Sequence, residues 1–342
     1  MITFVQSCQL PSMKKFFLIT LFSAFCLFQC YAQHDYAQPP FLKAGDSIGV
    51  VAASNRVTDK PAEAMRLCGM MESHWGVKVK YGKHWLDSAE KLSDGTAHIF
   101  AAPDSLRAAD IQEMIDDPNI RAIVFYRGGY GAARAIPYLD LERLHEDPKW
   151  LVGFSDVTIM LYAALSSGVQ CIHGVMPLDF GEQEFSFETL HDALFGNLNS
   201  YSTKPDSLNI FGIAEGPIVG GNLTLALSAN GTKTDFDYSQ PYLLFIEDVD
   251  EDIHSTDGRM QTLKQSGKLK NCMGMIVGSF KRNTGEKDWG STTYQLLHDY
   301  AAELGIPVMF GFPAGHIQVN CSLYFGRPTK LSVDREGGHI TW

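Results

Sequence analysis

At 342 residues the chain exceeds a typical single domain, so two domains are expected. Hydrophobic residues make up 45% and charged residues 20%, the balance of a globular protein with a buried core. A formal net charge of -11, with no basic cluster, excludes a nucleic-acid partner, because phosphate binding needs a concentrated basic surface.

The chain starts with an export pattern. Met13-Lys14-Lys15 precedes an apolar run from Phe16 to Phe28, and Cys30-Tyr31-Ala32 then leads into polar Gln33-His34-Asp35. A basic start, an apolar middle and a small-x-small end predict a signal peptide over residues 1–32, with Met13 as an alternative start. The run is shorter than the roughly 20 residues that span a bilayer. A periplasmic protein without stable membrane insertion is therefore expected once the segment is removed. Acylation of Cys30 is the competing expectation, disfavoured by the bulky Gln29 before it. Cys8 and Cys26 share this segment, whereas Cys68, Cys171, Cys272 and Cys321 are widely spaced in apolar contexts. Without a CxxC pair a zinc site is not expected; buried free thiols are.

From about Phe41, strand and helix signals alternate. The run from Asp46 to Ser54 is short, apolar and β-branched, as a buried parallel strand would be. Pro61 to Ser73 carries helical spacing, and Val77 to Tyr81 alternates like a strand. Ser105 to Ile115 is again helical, with Asp104-Ser105 as its expected cap. Ile120 to Phe125 is a strand, followed by a glycine-rich turn, a short helix and a further strand from Trp150 to Phe154. This alternation predicts an α/β fold with a parallel sheet and helices on both faces, its ligands gathered beyond the carboxyl ends of the strands. The pattern weakens after Gly181, and the Asn-, Ser-, Pro- and Asp-rich stretch from Asn197 to Asn209 reads as linker. The boundaries are therefore placed at 41–181 for an N-terminal domain, 182–215 for a linker and 216–342 for a smaller α+β C-terminal domain. Within the last, Tyr242 to Ile246, Gly274 to Ser279 and Lys330 to Val333 read as strands.

One junction carries chemical interest. In Leu151-Val-Gly-Phe-Ser155-Asp156-Val-Thr158 a strand runs into a serine and a helix follows at once. Such a junction exposes a hydroxyl beside helix-terminal N–H groups that can hold an oxyanion. It is similar to a nucleophile elbow, although Val157 stands where G-x-S-x-G would need its second glycine. Taken alone, the segment favours a helix cap by Ser155 or Asp156. Upstream, Tyr126-Arg127-Gly128-Gly129-Tyr130-Gly131 also joins a strand to a helix, but lacks the lysine and glycine order of a phosphate loop. A serine nucleophile needs a base and an orienting acid from elsewhere in the chain. His316 follows a glycine turn between two strand-like runs, His173 is its rival, and Glu247 ends an apolar strand, where a carboxylate is costly unless paired or used. Singly, each also fits a satisfied structural polar group.

Together these segments are similar to the LD-carboxypeptidase family of serine peptidases, which includes the microcin C self-immunity peptidases. The similarity runs from about Ala44 to Val333. Its marks are Gly45-Asp46, Arg107-Ala-Ala-Asp110, Arg127-Gly-Gly-Tyr-Gly131, Gly153-Phe-Ser-Asp-Val-Thr158 and His173-Gly174, followed by Gly220-Gly-Asn-Leu223, Ile246-Glu-Asp-Val249 and Gly315-His316. The resemblance implies a flavodoxin-like or amidotransferase-like three-layer N-terminal domain joined to a smaller C-terminal domain, with the site between them. It implies a homodimer that uses no metal or cofactor, with a murein peptide as substrate, cleaved before its terminal D-alanine. Residue by residue it gives Ser155 as nucleophile, His316 as base and Glu247 as orienting acid. Backbone N–H groups of Asp156 and Gly129 are then the expected oxyanion donors, and Arg127 the expected binder of the substrate carboxylate, with pairing to a sheet-edge carboxylate as its alternative. Asp252-Ile-His254-Ser-Thr-Asp-Gly258-Arg259 departs from the family's pattern. That leaves open a hydrolase acting on another amide or an acyl-adenylate, and a muropeptide-binding protein without turnover.

Overall fold

In the computed structural model, which describes residues 36–57, 60–87 and 99–342, the apolar runs become central strands. The expected signal segment, with Cys8, Cys26 and Cys30, lies outside the described residues. The first half comprises β1 (Ser47–Val51), α1 (Pro61–Trp75), β2 (Lys78–Tyr81), α2 (Asp104–Asp116), β3 (Ile120–Phe125), α3 (Ala132–Ala135), β4 (Trp150–Gly153), α4 (Thr158–Ser166) and β5 (Cys171–His173). Their strands pair in parallel in the order β2-β1-β3-β4-β5, a flavodoxin-like arrangement. Strands β3 and β4 are almost wholly buried, which is why they read as continuous apolar runs rather than alternating ones. Strand order reverses between β1 and β3, and crevices outside the carboxyl ends at such a point collect ligands.

Two local expectations are corrected. Helix α2 starts at Asp104 behind Pro103 and has no side-chain cap. Asp104 faces two guanidiniums instead, accepting from Arg107 and from Arg134 Nε at 3.0 Å. The 182–215 segment is not a plain linker, because it contains α5 (Glu184–Phe195) and β6 (Ser200–Ser202). Helix α5 buries Phe187, Leu190 and Leu194 together with Ser186 and Thr189.

The second half continues with β7 (Gly212–Asn222), α6 (Leu223–Ser228), β8 (Tyr242–Val249), α7 (Ile253–Gln265), β9 (Cys272–Lys281), α8 (Thr293–Leu304), β10 (Val308–Met309), β11 (Leu323–Phe325), β12 (Pro328–Asp334) and β13 (Gly337–Thr341). A seven-stranded sheet forms in the order β10-β9-β8-β7-β12-β13-β6. Strands β7 to β10 are parallel, and β12, β13 and β6 add antiparallel edges. Strand β11 leaves this sheet and pairs antiparallel with β5, extending the first one.

Helix α4 lies between the two sheets. Every residue from Thr158 to Leu165 is buried, as expected of a helix that is apolar all round. Contact with β7 requires glycine: a Cβ at Gly221 would fall 2.9 Å from the Thr158 side chain. Thr158 Oγ1 also accepts the Asn222 N–H at 3.2 Å, tying the start of α4 to the end of β7. Cys68, Cys171, Cys272 and Cys321 are buried free thiols. Among the described residues no helix is long and apolar enough to cross a membrane.

Candidate active site

The chain leaves β4 at Gly153 and turns through a 3₁₀ segment, Ser155–Val157, into α4. Ser155 has φ 61°, a left-handed conformation that costs a non-glycine residue about 1–2 kcal/mol. Backbone strain of this kind persists where the surroundings enforce it, commonly at reactive sites. Neither Ser155 nor Asp156 caps the helix, so the capping alternative is corrected. Asp156 is buried, and its Oδ2 accepts from Ser54 Oγ at 2.6 Å and from the Ala132 N–H at 2.8 Å. Burial pushes its carboxyl upward against those two hydrogen bonds. Its role is to lash the serine turn to the end of β1 and the start of α3. A second clamp is the buried Arg107, which donates to the carbonyls of Ala53, Ala102 and Gly131.

The partners arrive from the second sheet. Glu247 lies near the carboxyl end of β8, fully buried, where the β8–β9 register is irregular between Ile246 and Asp248. Across that irregularity Gly278 and Ser279 of β9 oppose Glu247 alone, an arrangement that re-aims side chains. There Ser279 donates its N–H to Ala314 O at 2.9 Å. This bond lays the Ala314-Gly315-His316 turn over Glu247. Gly315 has φ 111°, and a Cβ on it would fall 2.7 Å from Glu247 Oε2. Asp248 points away, its Oδ2 accepting from Thr224 N at 3.1 Å and Oγ1 at 2.8 Å at the start of α6.

The structure thus brings Ser155, His316 and Glu247 together. His316 Nδ1 stands 2.7 Å from Glu247 Oε2, and Nε2 stands 2.9 Å from Ser155 Oγ, a contact spanning 161 positions. Burial lowers the His316 pKa, but the hydrogen bond and charge of Glu247 outweigh it, and the net shift is upward. Glu247 Oε1 has no hydrogen-bond partner among the described residues, so the carboxylate is held through Oε2 by the imidazole. Chemically, Nε2 can take the hydroxyl proton while Nδ1–H stays on Glu247. His173, the rival base, is fully buried, and its Nε2 meets Asn320 Oδ1 at 3.3 Å rather than the serine hydroxyl.

The Arg127-Gly128-Gly129 turn closes the other side. A Cβ at Gly128 would fall 2.9 Å from Ser155 Cβ and 3.4 Å from Asp156 N, so only glycine permits this approach. Asp156 N–H belongs to the first turn of the 3₁₀ segment, where amides lack partners within the helix. Gly129, at φ 121°, packs against Asn55, whose Oδ1 accepts the Tyr130 N–H at 3.0 Å. Arg127 is half-buried and donates to the carbonyls of Gly128 at 3.2 Å and Arg56 at 3.4 Å. It forms no ion pair among the described residues, so the alternative of a sheet-edge carboxylate partner is corrected.

Comparison with known proteins decides the family. The family model described as LD-carboxypeptidase N-terminal domain matches residues 48–174, and the one described as LD-carboxypeptidase C-terminal domain matches residues 215–331. The chain belongs to the LD-carboxypeptidase family. It is a serine-type carboxypeptidase, a hydrolase. A probable murein peptide carboxypeptidase of Bacillus subtilis is 31% identical over 86% of this chain and 92% of its own length. The crystal structure of muramoyltetrapeptide carboxypeptidase from Oxalobacter formigenes superposes with a TM-score of 0.74 and 26% identity, covering 86% of this chain and 97% of that one. The microcin C7 self immunity protein in complex with aspartyl sulfamoyl adenosine has the same fold, with a TM-score of 0.76 and 21% identity over 90% of this chain and 98% of that one.

Three features of this LD-carboxypeptidase site carried no signal in the sequence reading. Asn55 supports the glycine turn from the end of β1. Asn320 Oδ1 accepts the Gly315 N–H at 2.9 Å, just before His316. Asp179 ends a 3₁₀ turn that is held by Leu178 N–H to Tyr126 O at 3.2 Å, beside Arg127. Burial and neighbouring Glu182 push its carboxyl up to about 6, with Arg127 and His316 opposing. The 252–259 segment, which departs from the family pattern, forms the start of α7, with Asp252 Oδ1 capping His254 N–H at 2.9 Å and Arg259 bound to Glu251 at 2.9 Å.

Gly315→Ala tests how finely the His316 imidazole is placed. Glu247 or the turn must move to admit the methyl, and φ 111° becomes strained, costing about 1–3 kcal/mol. The expected result is a lower melting temperature with at least a tenfold loss of kcat, since about 1 Å of misplacement can cost roughly a hundredfold. A variant with wild-type kcat would show that the turn tolerates displacement.

Proposed function

We propose that this LD-carboxypeptidase removes the terminal D-alanine from a murein tetrapeptide, with Ser155 as nucleophile, His316 as general base and Glu247 as its orienting acid. The observation that carries this reading is the unbroken chain from Ser155 Oγ through the imidazole to Glu247, at 2.9 and 2.7 Å. Similarity to the B. subtilis and O. formigenes carboxypeptidases, named for murein peptide and muramoyltetrapeptide, supports the substrate class.

His316 takes the Ser155 proton as the oxygen attacks the scissile carbonyl, and Glu247 holds the tautomer and stabilises the imidazolium. The N–H groups of Asp156 and Gly129 receive the oxyanion; such donors are typically worth about 2.7–4 kcal/mol each. The imidazolium then protonates the departing D-alanine amine. Water, activated by the same imidazole, releases the acyl group from Ser155. Arg127 binds the free carboxylate of the departing residue, because a guanidinium fork matches a carboxylate and, among the described residues, its hydrogen bonds go to backbone carbonyls rather than to an acidic side chain.

The decisive experiment is hydrolysis of L-Ala-γ-D-Glu-meso-diaminopimelate-D-Ala, with D-alanine release as the expected result. Turnover of aminoacyl sulfamoyl adenylates alone, or tetrapeptide binding without turnover, would overturn the substrate assignment. Arg127→Ala should raise KM for the tetrapeptide by roughly 10- to 100-fold, the value of a hydrogen bond to a charged group. Arg127→Lys should rescue it only partly, since an ammonium lacks the planar fork. An unchanged KM would move carboxylate recognition elsewhere.

A further inference from the structure

His173 is a fully buried titratable side chain that the mechanism leaves unused. It lies at the end of β5, where its backbone pairs with Gly153 of β4, two residues before Ser155. Its ring packs among the rings of Phe245 at 4.9 Å, Phe154 at 5.9 Å and Phe325 at 5.9 Å. Its polar contact is Nε2 with Asn320 Oδ1 at 3.3 Å. The same Oδ1 accepts the Gly315 N–H at 2.9 Å. Because a backbone N–H can only donate, the Asn320 atom it meets is the oxygen, and His173 Nε2 must therefore carry a proton. His173 is thereby assigned the Nε2–H tautomer.

From this geometry we infer that His173 is a positioning residue, tethering the loop that carries His316 to the strand that delivers Ser155. The tether runs from the β4–β5 pair through Nε2–H to Asn320 Oδ1, and from there to the Gly315 N–H. Asn320 is itself fixed from a third direction, its N–H bonded to Ser186 Oγ of α5 at 2.9 Å. Base and nucleophile lie on segments 161 positions apart, so their 2.9 Å contact depends on such links. A ring that served packing alone could be phenylalanine, like the three that surround it. Neutrality suits the role: burial pushes the His173 pKa down to about 4, opposed by Glu247 and Asn320, so the donor persists while His316 titrates.

The inference rests on His316 acting as base for Ser155. A test independent of the peptide substrate uses a fluorophosphonate, which phosphonylates an activated serine: Ser155 Oγ bonds to phosphorus, fluoride leaves, and the hydroxyl proton passes to His316. His173→Phe keeps an aromatic ring but removes the donor, and His173→Gln restores an amide N–H near the Nε2 position. Labelling of Ser155 should slow roughly 10- to 100-fold in His173→Phe, at unchanged circular dichroism, and recover to within about threefold in His173→Gln. In the wild-type protein, ¹⁵N NMR should show His173 as the Nε2–H tautomer, without titration between pH 5 and 9. Wild-type labelling by a folded His173→Phe, failed rescue by glutamine, or a Nδ1–H tautomer would overturn the tether. A wild-type protein inert to the probe would instead defeat the triad, while the tautomer would still decide the His173–Asn320 bond.

Discussion

Replacing Ser155 with alanine is expected to lower kcat by on the order of 10⁶-fold, the loss typical of removing a triad nucleophile and equivalent to about 8 kcal/mol of barrier. The fold should survive. Ser155 sits at φ 61°, where alanine is about as strained as serine, and the lost bond to His316 is worth about 1 kcal/mol net. Substrate affinity should persist, because Arg127 and the glycine turn are untouched. Ser155→Gly separates strain from chemistry, since glycine adopts this conformation freely. It should be equally inactive yet more stable than Ser155→Ala, by the about 1–2 kcal/mol of relieved strain less the entropy that glycine gains in the unfolded chain. Tetrapeptide hydrolysis and thermal unfolding of the pair check this. Retained turnover in Ser155→Ala would remove Ser155 from the mechanism.

The elements legible in the sequence, and those that are not, divide along physical lines. Strands β1, β3 and β4 were legible because parallel strands covered on both faces are spelled as unbroken apolar runs. Helix α5 was missed because two of its inward positions, Ser186 and Thr189, are polar and dilute the amphipathic signal. They are polar for a distant reason, accepting the N–H groups of Asn320 at 2.9 Å and Ser322 at 3.2 Å as the chain returns to place β11 beside β5. No local window contains that requirement. Ser155, Glu247 and His316 each fitted an ordinary structural role when read singly, and only the resemblance grouped them. Their convergence is made by long-range features, chiefly the Gly278–Ser279 irregularity in β9 and the Gly221–Thr158 contact. Glycine positions reported these indirectly: Gly128, Gly221 and Gly315 each stand where a Cβ would strike the serine, its helix or the acid.

Glu247→Gln is the second large effect, and it discriminates an orienting acid from a merely buried carboxylate. In the wild-type protein Glu247 Oε2 can only accept, so His316 Nδ1 is the donor and Nε2 keeps its lone pair for the Ser155 hydroxyl. Glutamine can present an N–H to Nδ1, which moves the ring proton to Nε2 and leaves no base facing Ser155. A fall in kcat of roughly 10⁴-fold is expected, as for the asparagine replacement of a triad aspartate. The pH profile supplies the sign. His316 must be neutral to accept a proton, and its pKa is raised because Glu247 outweighs burial, so activity declines as pH falls through this upward-shifted pKa. Without the carboxylate, burial acts unopposed by its strongest counterweight, and the acid limb of residual kcat/KM should move to lower pH. A limb that stays in place while kcat falls would mean that another group sets it; a near-wild-type kcat would leave Glu247 no part in orienting the base.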